Sequence, residues 1–236
     1  MFRSFVRAAL AAALVASCLA TAQAQTTSSK NFAPGFTQRT PGSKLVIVPM
    51  DMELFSQSAG GVLEPRADWT EAAQKHFRAA LLARASVVDS NSVELAERDL
   101  DELGQLNALH GAVAEAVFIH HMMGMPQLPT KDKTLDWTLG EAVEPLRART
   151  GADYALFFWV RDSYASAERK AAMVAMALLG VGIAGGSQMG YASLVDLRTG
   201  RIVWFNNLAR AFGDLREAKP AEETVDSLLR GFPSPQ

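Results

Sequence analysis

GADYALFFWV, residues 151–160, is the stretch that decides the fold. Gly151 fits the glycine that ends a preceding helix, and Asp153–Val160 then runs almost without a break through apolar and aromatic residues. A strand that is apolar on both faces is typical of the centre of a sheet covered by helices on both sides. The sequence therefore predicts an α/β protein built around this strand.

Three further strands are predicted around it. Lys44–Met50 (KLVIVPM) is a short β-branched run bounded by turn residues. Tyr191–Leu197 and Arg201–Asn206 lie on either side of a short turn, in which Gly200 supplies a positive φ and closes a hairpin. Together these segments predict a mixed sheet with a C-terminal β-hairpin.

Helical periodicity accounts for much of the remaining chain. Ser86–Asp89 is an exception, for which we predict a short strand. The predicted helical segments, in chain order, are one capped by Asp68, one from Ser92 to about Met123 that is either bent or split in two, Leu139–Thr150, and Ala221–Leu229. The fold class predicted is therefore α/β, a mixed β-sheet packed by helices.

The first 24 residues predict an export signal of the bacterial type. Arg3 and Arg7 form a basic start, Ala8–Ala20 is an apolar core, and Ala22-Gln23-Ala24 is a small-residue cleavage site. This predicts that residues 1–24 are a signal peptide and that the mature protein lies in the periplasm, with attachment to the outer membrane as an open alternative.

Cys18 leaves a second interpretation of the same segment open. Val15-Ala16-Ser17-Cys18 fits a lipobox, in which Cys18 becomes the lipidated first residue. Cys18 is the only cysteine, so cleavage after Ala24 leaves a chain with neither a disulfide nor a cysteine nucleophile. In both cases the polar residues 25–43 are expected to act as a linker, and residues 44–232 to form one α/β domain.

Composition excludes several classes of function. Without the signal the chain has 21 basic and 25 acidic residues, a net charge of −4, which offers no basic footprint for nucleic acid. Gly180–Gly185 matches a G-x-G-x-x-G pattern, but the stretch before it favours a helix and a predicted hairpin follows it, the reverse of a dinucleotide site. We therefore expect no cofactor.

Two motifs carry a resemblance to known proteins. Gly151-Ala152-Asp153 makes a helix-to-strand turn, and Ala192–Trp204 reads ASLVDLRTGRIVW. In this pattern the chain resembles a group of bacterial envelope proteins that includes the TolB N-terminal domain, the curli secretion channel protein and the outer-membrane activators of penicillin-binding proteins. It also resembles an uncharacterised proteobacterial exported family with this fold. The resemblance implies a TolB N-terminal-like fold and a non-enzymatic role in envelope assembly or protein interaction. Its motifs describe a turn and a hairpin, so it implies no catalytic residues.

The histidines offer a runner-up function, a periplasmic hydrolase or metal-binding protein using the His110–His121 region. His120 and His121 precede three methionines, a soft ligand set. On a helix, however, adjacent histidines point about 100° apart, and His110 lies ~16 Å from His121. Asp136, Glu141 and Asp162 are acids that a hydrolase could use with them. We expect these histidines to be polar residues at a helix end, and the metal candidates His110, His120 and His121 are weak.

Ala171–Gly186 (AAMVAMALLGVGIAGG) is the segment most suggestive of function, because it carries no charge and sits as an apolar insert before the hairpin. As a helix it would span ~24 Å, short of the ~30 Å hydrocarbon core of a membrane. Two interpretations remain open, a segment for membrane contact or self-association and a buried connection packed on the sheet. Under the first, a protein partner or a second copy is expected. The interaction candidates are Ala171, Met173, Met176, Leu179, Gly182 and Gly186.

Overall fold

A computed structural model describes residues 30–88, 92–95, 100–211 and 213–233, and the chain forms a mixed sheet of seven strands packed by helices. The strands are β1 (Leu45–Ile47), β2 (Asp51–Gln57), β3 (Leu63–Pro65), β4 (Val93–Glu94), β5 (Tyr154–Ala165), β6 (Gly186–Asp196) and β7 (Ile202–Arg210). The helices are α1 (Ala67–Leu82), α2 (Ala85–Val88), α3 (Leu100–Val117), α4 (Glu144–Thr150), α5 (Ala167–Leu178) and α6 (Ala218–Leu228). A π-helical turn, Phe118–Met122, continues α3.

Strand β5 is the centre of the sheet, as its sequence predicts. One edge pairs in parallel with β1 and then with β2, and the other edge pairs antiparallel with β6 along almost its whole length. Strand β7 pairs with β6 on its far side, β4 pairs with β1, and β3 pairs with β2. The predicted mixed sheet is confirmed. The central strand is longer than predicted, because pairing with β2 and β6 carries it through polar residues to Ala165.

The two faces of the sheet carry two separate apolar cores. Side chains alternate along β5, so Leu156 and Phe158 face one core while Ala155 and Phe157 face the other. Helices α1 and α6 cover the first face and pack on each other. Helix α3 covers the second face with a buried apolar stripe that includes Leu103, Leu106, Ala114 and Val117. The described part of the chain's helical middle therefore packs on the same sheet.

Three predictions of local structure were wrong. Helix α1 begins at Ala67 with Arg66 at its N-cap, so Asp68 lies inside the first turn and does not cap the helix. Ser86–Asp89 was predicted as a strand, but Ala85–Val88 is a short helix, and Asp89 lies outside the described residues. A helix was predicted from Ser92, but Val93–Glu94 is a strand paired in parallel with β1, and the next described helix begins at Leu100. Both runs are too short for periodicity to distinguish helix from strand, and pairing within the sheet decides the second.

The C-terminal hairpin and the helix before the central strand follow the sequence closely. Gly200 has φ of 70° in the turn between β6 and β7, as predicted. The helix predicted over Leu139–Thr150 is shorter, because Gly140–Val143 is a 3₁₀-helix and α4 begins at Glu144, with Pro145 in its first turn and Gly151 as a left-handed cap at φ 61°.

The segment expected to be a linker, residues 25–43, is described from Lys30 onward, and this part lies against the domain. Ala33 donates its backbone N–H to the carbonyl of Val203 at 2.9 Å, which places this segment along β7. Arg39 is fully buried and donates to the carbonyls of Val88 and Pro233 at 2.8 and 3.0 Å. Cys18 and the predicted signal peptide lie outside the described residues.

Candidate functional site

The apolar insert joins the last residue of β5 to the first residue of β6. We call residues 167–185, which comprise α5 and the segment that returns from it, the finger. The backbone N–H of Ala165 donates to the carbonyl of Gly185 at 2.6 Å, so the two ends of the finger lie side by side. The finger therefore stands at the end of two paired strands, as an enlarged hairpin loop.

Local sequence determines where α5 begins and ends. The Ser166 side chain caps its start by accepting the backbone N–H of Arg169 at 3.2 Å. At its end, Gly180 adopts φ of 77° and donates to Ala177, while Val181 donates to Met176, at 3.0 and 2.9 Å. This pair of bonds is a Schellman motif. Helix α5 thus ends at Leu178, well before Gly186, which is instead the first residue of β6.

Arg169 holds the base of the finger together. It is 8% exposed, and its Nε and Nη2 atoms both donate to the carbonyl of Ala184, at 3.1 and 2.9 Å. Its Nη1 atom donates to the carbonyl of Ser58, in the turn after β2, at 3.2 Å. One guanidinium therefore links the first turn of α5, the end of the returning segment and the neighbouring turn.

The outer surface of the finger is apolar and uncovered. Val174 is 64% exposed, Leu178 84%, Leu179 75% and Val181 45%. No charged residue occurs between Ala171 and Val195. No helix among the described residues is long and apolar enough to cross a membrane.

The interaction candidates divide between the two sides of the finger. Ala171, Leu179 and Gly182 are exposed, whereas Met173 and Met176 are half-buried on the inner side. Met173 packs on the returning segment, where a Cβ added to Gly185 would lie 3.2 Å from its Cε atom. The finger is therefore closed on its inner side and open on its outer side.

The three histidines do not come together into a site. His110 is fully buried, its Nε2 atom lies 2.9 Å from the Oγ of Ser193, and burial lowers its pKa to about 3. His121 donates to the carbonyl of Lys30 at 2.7 Å, and His120 to that of Pro126 at 3.0 Å. Each ring is thus engaged by a different part of the chain.

The surroundings of the histidines offer no room for a substrate. His120 and His121 line a cavity of about 10 Å³, which is at the lower limit of the about 10–15 Å³ needed for a single water. Across the described ranges, no cluster of three or more His, Cys, Asp or Glu side chains could hold a metal ion. Asp162, one of the acids proposed as their partners, lies elsewhere and bonds to Tyr164 and Gln188.

Asp162 belongs to a buried polar network that sequence analysis missed. It is 2% exposed and accepts hydrogen bonds from the hydroxyl of Tyr164 and, at 2.6 Å, from Nε2 of Gln188. Gln188 Oε1 in turn accepts from Nε of Arg210 at 2.7 Å. Burial raises the pKa of Asp162 to about 6, although the two hydrogen bonds oppose that shift. The network ties β5, β6 and β7 together near the base of the finger.

An open cleft of about 450 Å³ lies between β2 and the start of α1. Asp51, Glu53 and Glu71 bring carboxylates to it, and no histidine lines it. The Thr70 hydroxyl, which also lines it, already donates to the carbonyl of Arg66 at 2.9 Å and accepts the backbone N–H of Leu54 at 3.0 Å. The residues that line the cleft thus include no Ser–His or Cys–His pair, and Arg161 pairs with two of the carboxylates, Asp51 at 2.7 Å and Glu53 at 3.7 Å.

Comparison with known proteins gives structural similarities only. No protein-family model and no curated protein sequence matches the chain. The PelC dodecamer from Paraburkholderia phytofirmans is 13% identical, with 87% of this chain and 95% of that chain covered at a TM-score of 0.39. The lipoprotein GNA1162 from Neisseria meningitidis is 13% identical, with 71% and 79% covered at 0.27. The LpoB C-terminal domain from Escherichia coli is 16% identical, with 75% and 87% covered at 0.29. With TM-scores below 0.5, the function of this chain has to be argued from its own residues.

Proposed function

We propose that this chain is an exported, non-enzymatic protein of the bacterial cell envelope, which works by contact with other envelope components through its finger. The N-terminal basic and apolar segments support export to the periplasm, and Cys18 offers a point of attachment to the outer membrane. The contact would serve envelope assembly, through a protein partner, a second copy of the chain or the membrane itself.

The observation that carries this proposal is the uncovered apolar surface of the finger. Contiguous exposed apolar patches on soluble proteins are usually interaction sites. Leu178 and Leu179 are adjacent, both at least three-quarters exposed, and lie at the turn where α5 ends. Nothing in the described part of the chain covers them, so their cover is expected to come from outside the protein.

The fixed base of the finger supports the same conclusion. A loop whose apolar tip simply escaped packing would need no buried guanidinium to position it. Here Arg169 gives up its hydration to bond the carbonyls of Ala184 and Ser58. Such an arrangement holds the tip in one orientation before contact. The finger therefore loses less conformational entropy when it binds.

The test is to replace Leu178 and Leu179 with glutamate in a chain that also carries Cys18→Ala, so that no acyl chain anchors it, and to follow the variant in its native envelope. Exposed surface substitutions usually change stability by only about 0.5 kcal/mol, so the variant should stay folded. We expect it to leave the envelope-bound or cross-linked complexes and to appear as a free monomer in the periplasmic extract.

Leu82→Glu is the matched control, because Leu82 is a 62% exposed leucine on α1, away from the finger. The control should distribute as the wild type does. If the finger variant also distributes as the wild type, in both fractionation and cross-linking, the finger is not the contact surface and the proposal fails.

A further inference from the structure

We propose that the finger is covered by a lipid bilayer, with the end of α5 and the turn that follows it inserted at the boundary between headgroups and acyl chains. This inference rests on the proposed function and names the partner of the same surface.

The exposed side of α5 changes from charged to aliphatic between its base and its tip. Glu168 and Lys170 in the first turn are exposed, and farther along the helix Val174 is 64% exposed and Leu178 is 84% exposed. Side chains on this outer side are aliphatic or alanine from Ala171 onward. A surface that becomes more apolar and more exposed toward its end suits insertion into a medium that offers no hydrogen bonds.

The end of α5 satisfies part of its own backbone. Helix ends normally leave carbonyls without partners, and such groups are costly in lipid. Here Gly180 and Val181 donate back to Ala177 and Met176, at 3.0 and 2.9 Å. The turn that carries the most exposed side chains of the finger thus satisfies two of the last four carbonyls of α5, which lowers the cost of inserting it.

The surface is small for a protein partner. Ten residues from Ala171 to Gly185 are exposed, whereas a stable protein interface takes about 20–30 residues from each side. None of the ten is aromatic or arginine, the residue types that dominate binding energy in protein interfaces. Membrane insertion needs only a few aliphatic side chains, because its strength scales with the apolar area buried.

The flanking charge lies at a suitable depth. Lys170 is exposed at the base, eight positions before Leu178, which corresponds to ~12 Å along the helix axis. Amphipathic elements bury their apolar side about 5–10 Å into the boundary region. When the tip is inserted, the Lys170 ammonium therefore reaches the level of the lipid phosphates.

The experiment uses the exported protein carrying Cys18→Ala, so that no acyl chain can anchor it. Vesicles of phosphatidylethanolamine and phosphatidylglycerol in a 3:1 ratio are floated with the protein at about 1 mM accessible lipid, since few buried aliphatic groups give only modest affinity. We expect the protein to float with the vesicles. Replacing Leu178 and Leu179 with glutamate should weaken partitioning by at least about 100-fold, since burying one leucine is worth about tenfold or more. Leu82→Glu should leave it unchanged.

Each alternative outcome contradicts the inference and also reports on the proposed function. If the protein does not float, but the finger variant still loses its cross-linked complexes in the envelope, the finger contacts protein and only the bilayer inference fails. If the finger variant floats as well as Leu82→Glu does, membrane binding comes from another surface. If the finger variant changes neither flotation nor envelope association, both proposals fail.

Discussion

Arg169 and Ala184 are joined by two hydrogen bonds from one guanidinium to one carbonyl, of 3.1 and 2.9 Å, which tie the start of the finger to its end. The pair spans 15 residues of chain. Because Arg169 is almost fully buried, leaving its guanidinium without these hydrogen bonds would cost folding free energy. The finger is consequently a fixed projection.

Arg169→Ala should loosen the finger without unfolding the domain. Hydrogen bonds to a charged group contribute about 1.5–3 kcal/mol, and a loss of about 2 kcal/mol corresponds to about 30-fold faster local opening. Hydrogen exchange of the amides from Ala171 to Gly185 should therefore accelerate by about that factor. Lys170→Ala, at an exposed neighbour, is the control and should leave the exchange rates unchanged. Equal rates for both variants would show that Arg169 does not hold the finger.

His110 and Asp162 should give opposite pH dependences of stability. Burial lowers the pKa of His110 to about 3, below its unfolded value of 6.5, so the stability linked to it is lost as the pH falls below 6.5. Burial raises the pKa of Asp162 to about 6, above its unfolded value of 3.8, so the stability linked to it is lost as the pH rises through 6. Between pH 4 and 6 the two effects offset each other.

Two substitutions separate these effects. Relative to the wild type, His110→Gln should make stability fall as the pH rises from 4 to 6, and Asp162→Asn should make it rise. Each change in slope should approach 1.4 kcal/mol, or about one proton, per pH unit. Denaturant unfolding across this range measures it. Parallel curves for the wild type and both variants would mean that neither group has the shifted pKa.

Gly200→Ala should destabilise the hairpin far more than the same change at another left-handed glycine. A Cβ on Gly200, at φ 70°, would lie 2.2 Å from the carbonyl oxygen of Gly140. At Gly35, φ is 80° and no atom lies within 4 Å of the added Cβ. The backbone cost of about 1–2 kcal/mol applies to both, and overpacking adds about 1–3 kcal/mol at Gly200 alone. Thermal unfolding of the two variants should show the difference; equal losses would contradict close packing on Gly140.

The sequence predicted the structure correctly where a single local feature determines it. The apolar run through Phe157 and Phe158 predicted a central strand, because no other position in an α/β fold buries both faces of a strand so completely. Gly200 predicted its turn, since a positive φ is most easily adopted by glycine. Both features act locally, so a single sequence carries them.

Sequence was a poor guide where distant pairing decided the outcome. Val93 looked helical, but it is a strand residue paired with Val46. The central strand was predicted to end at Val160, but pairing of Asp162 with Leu54 and Gln188 keeps that residue inside β5. Arg169 lies in the charged triplet Glu168-Arg169-Lys170. Such a triplet is usually exposed to solvent, and the neighbouring sequence gives no sign that Arg169 is buried. The apolar insert was recognised from its composition, although the helix within it ends early, at Leu178.

The measurement that tests the central claim most directly is the accessibility of the finger tip in the intact envelope. Cysteine replaces Leu178 in one variant and Leu82 in another, both in the Cys18→Ala chain, and a membrane-impermeant thiol reagent that reaches the periplasm is added to envelopes and to purified monomer. The account predicts that Leu178→Cys reacts in the monomer but is protected in envelopes, while Leu82→Cys reacts in both. Equal reactivity of Leu178→Cys in both preparations would contradict the claim that the finger is a contact surface.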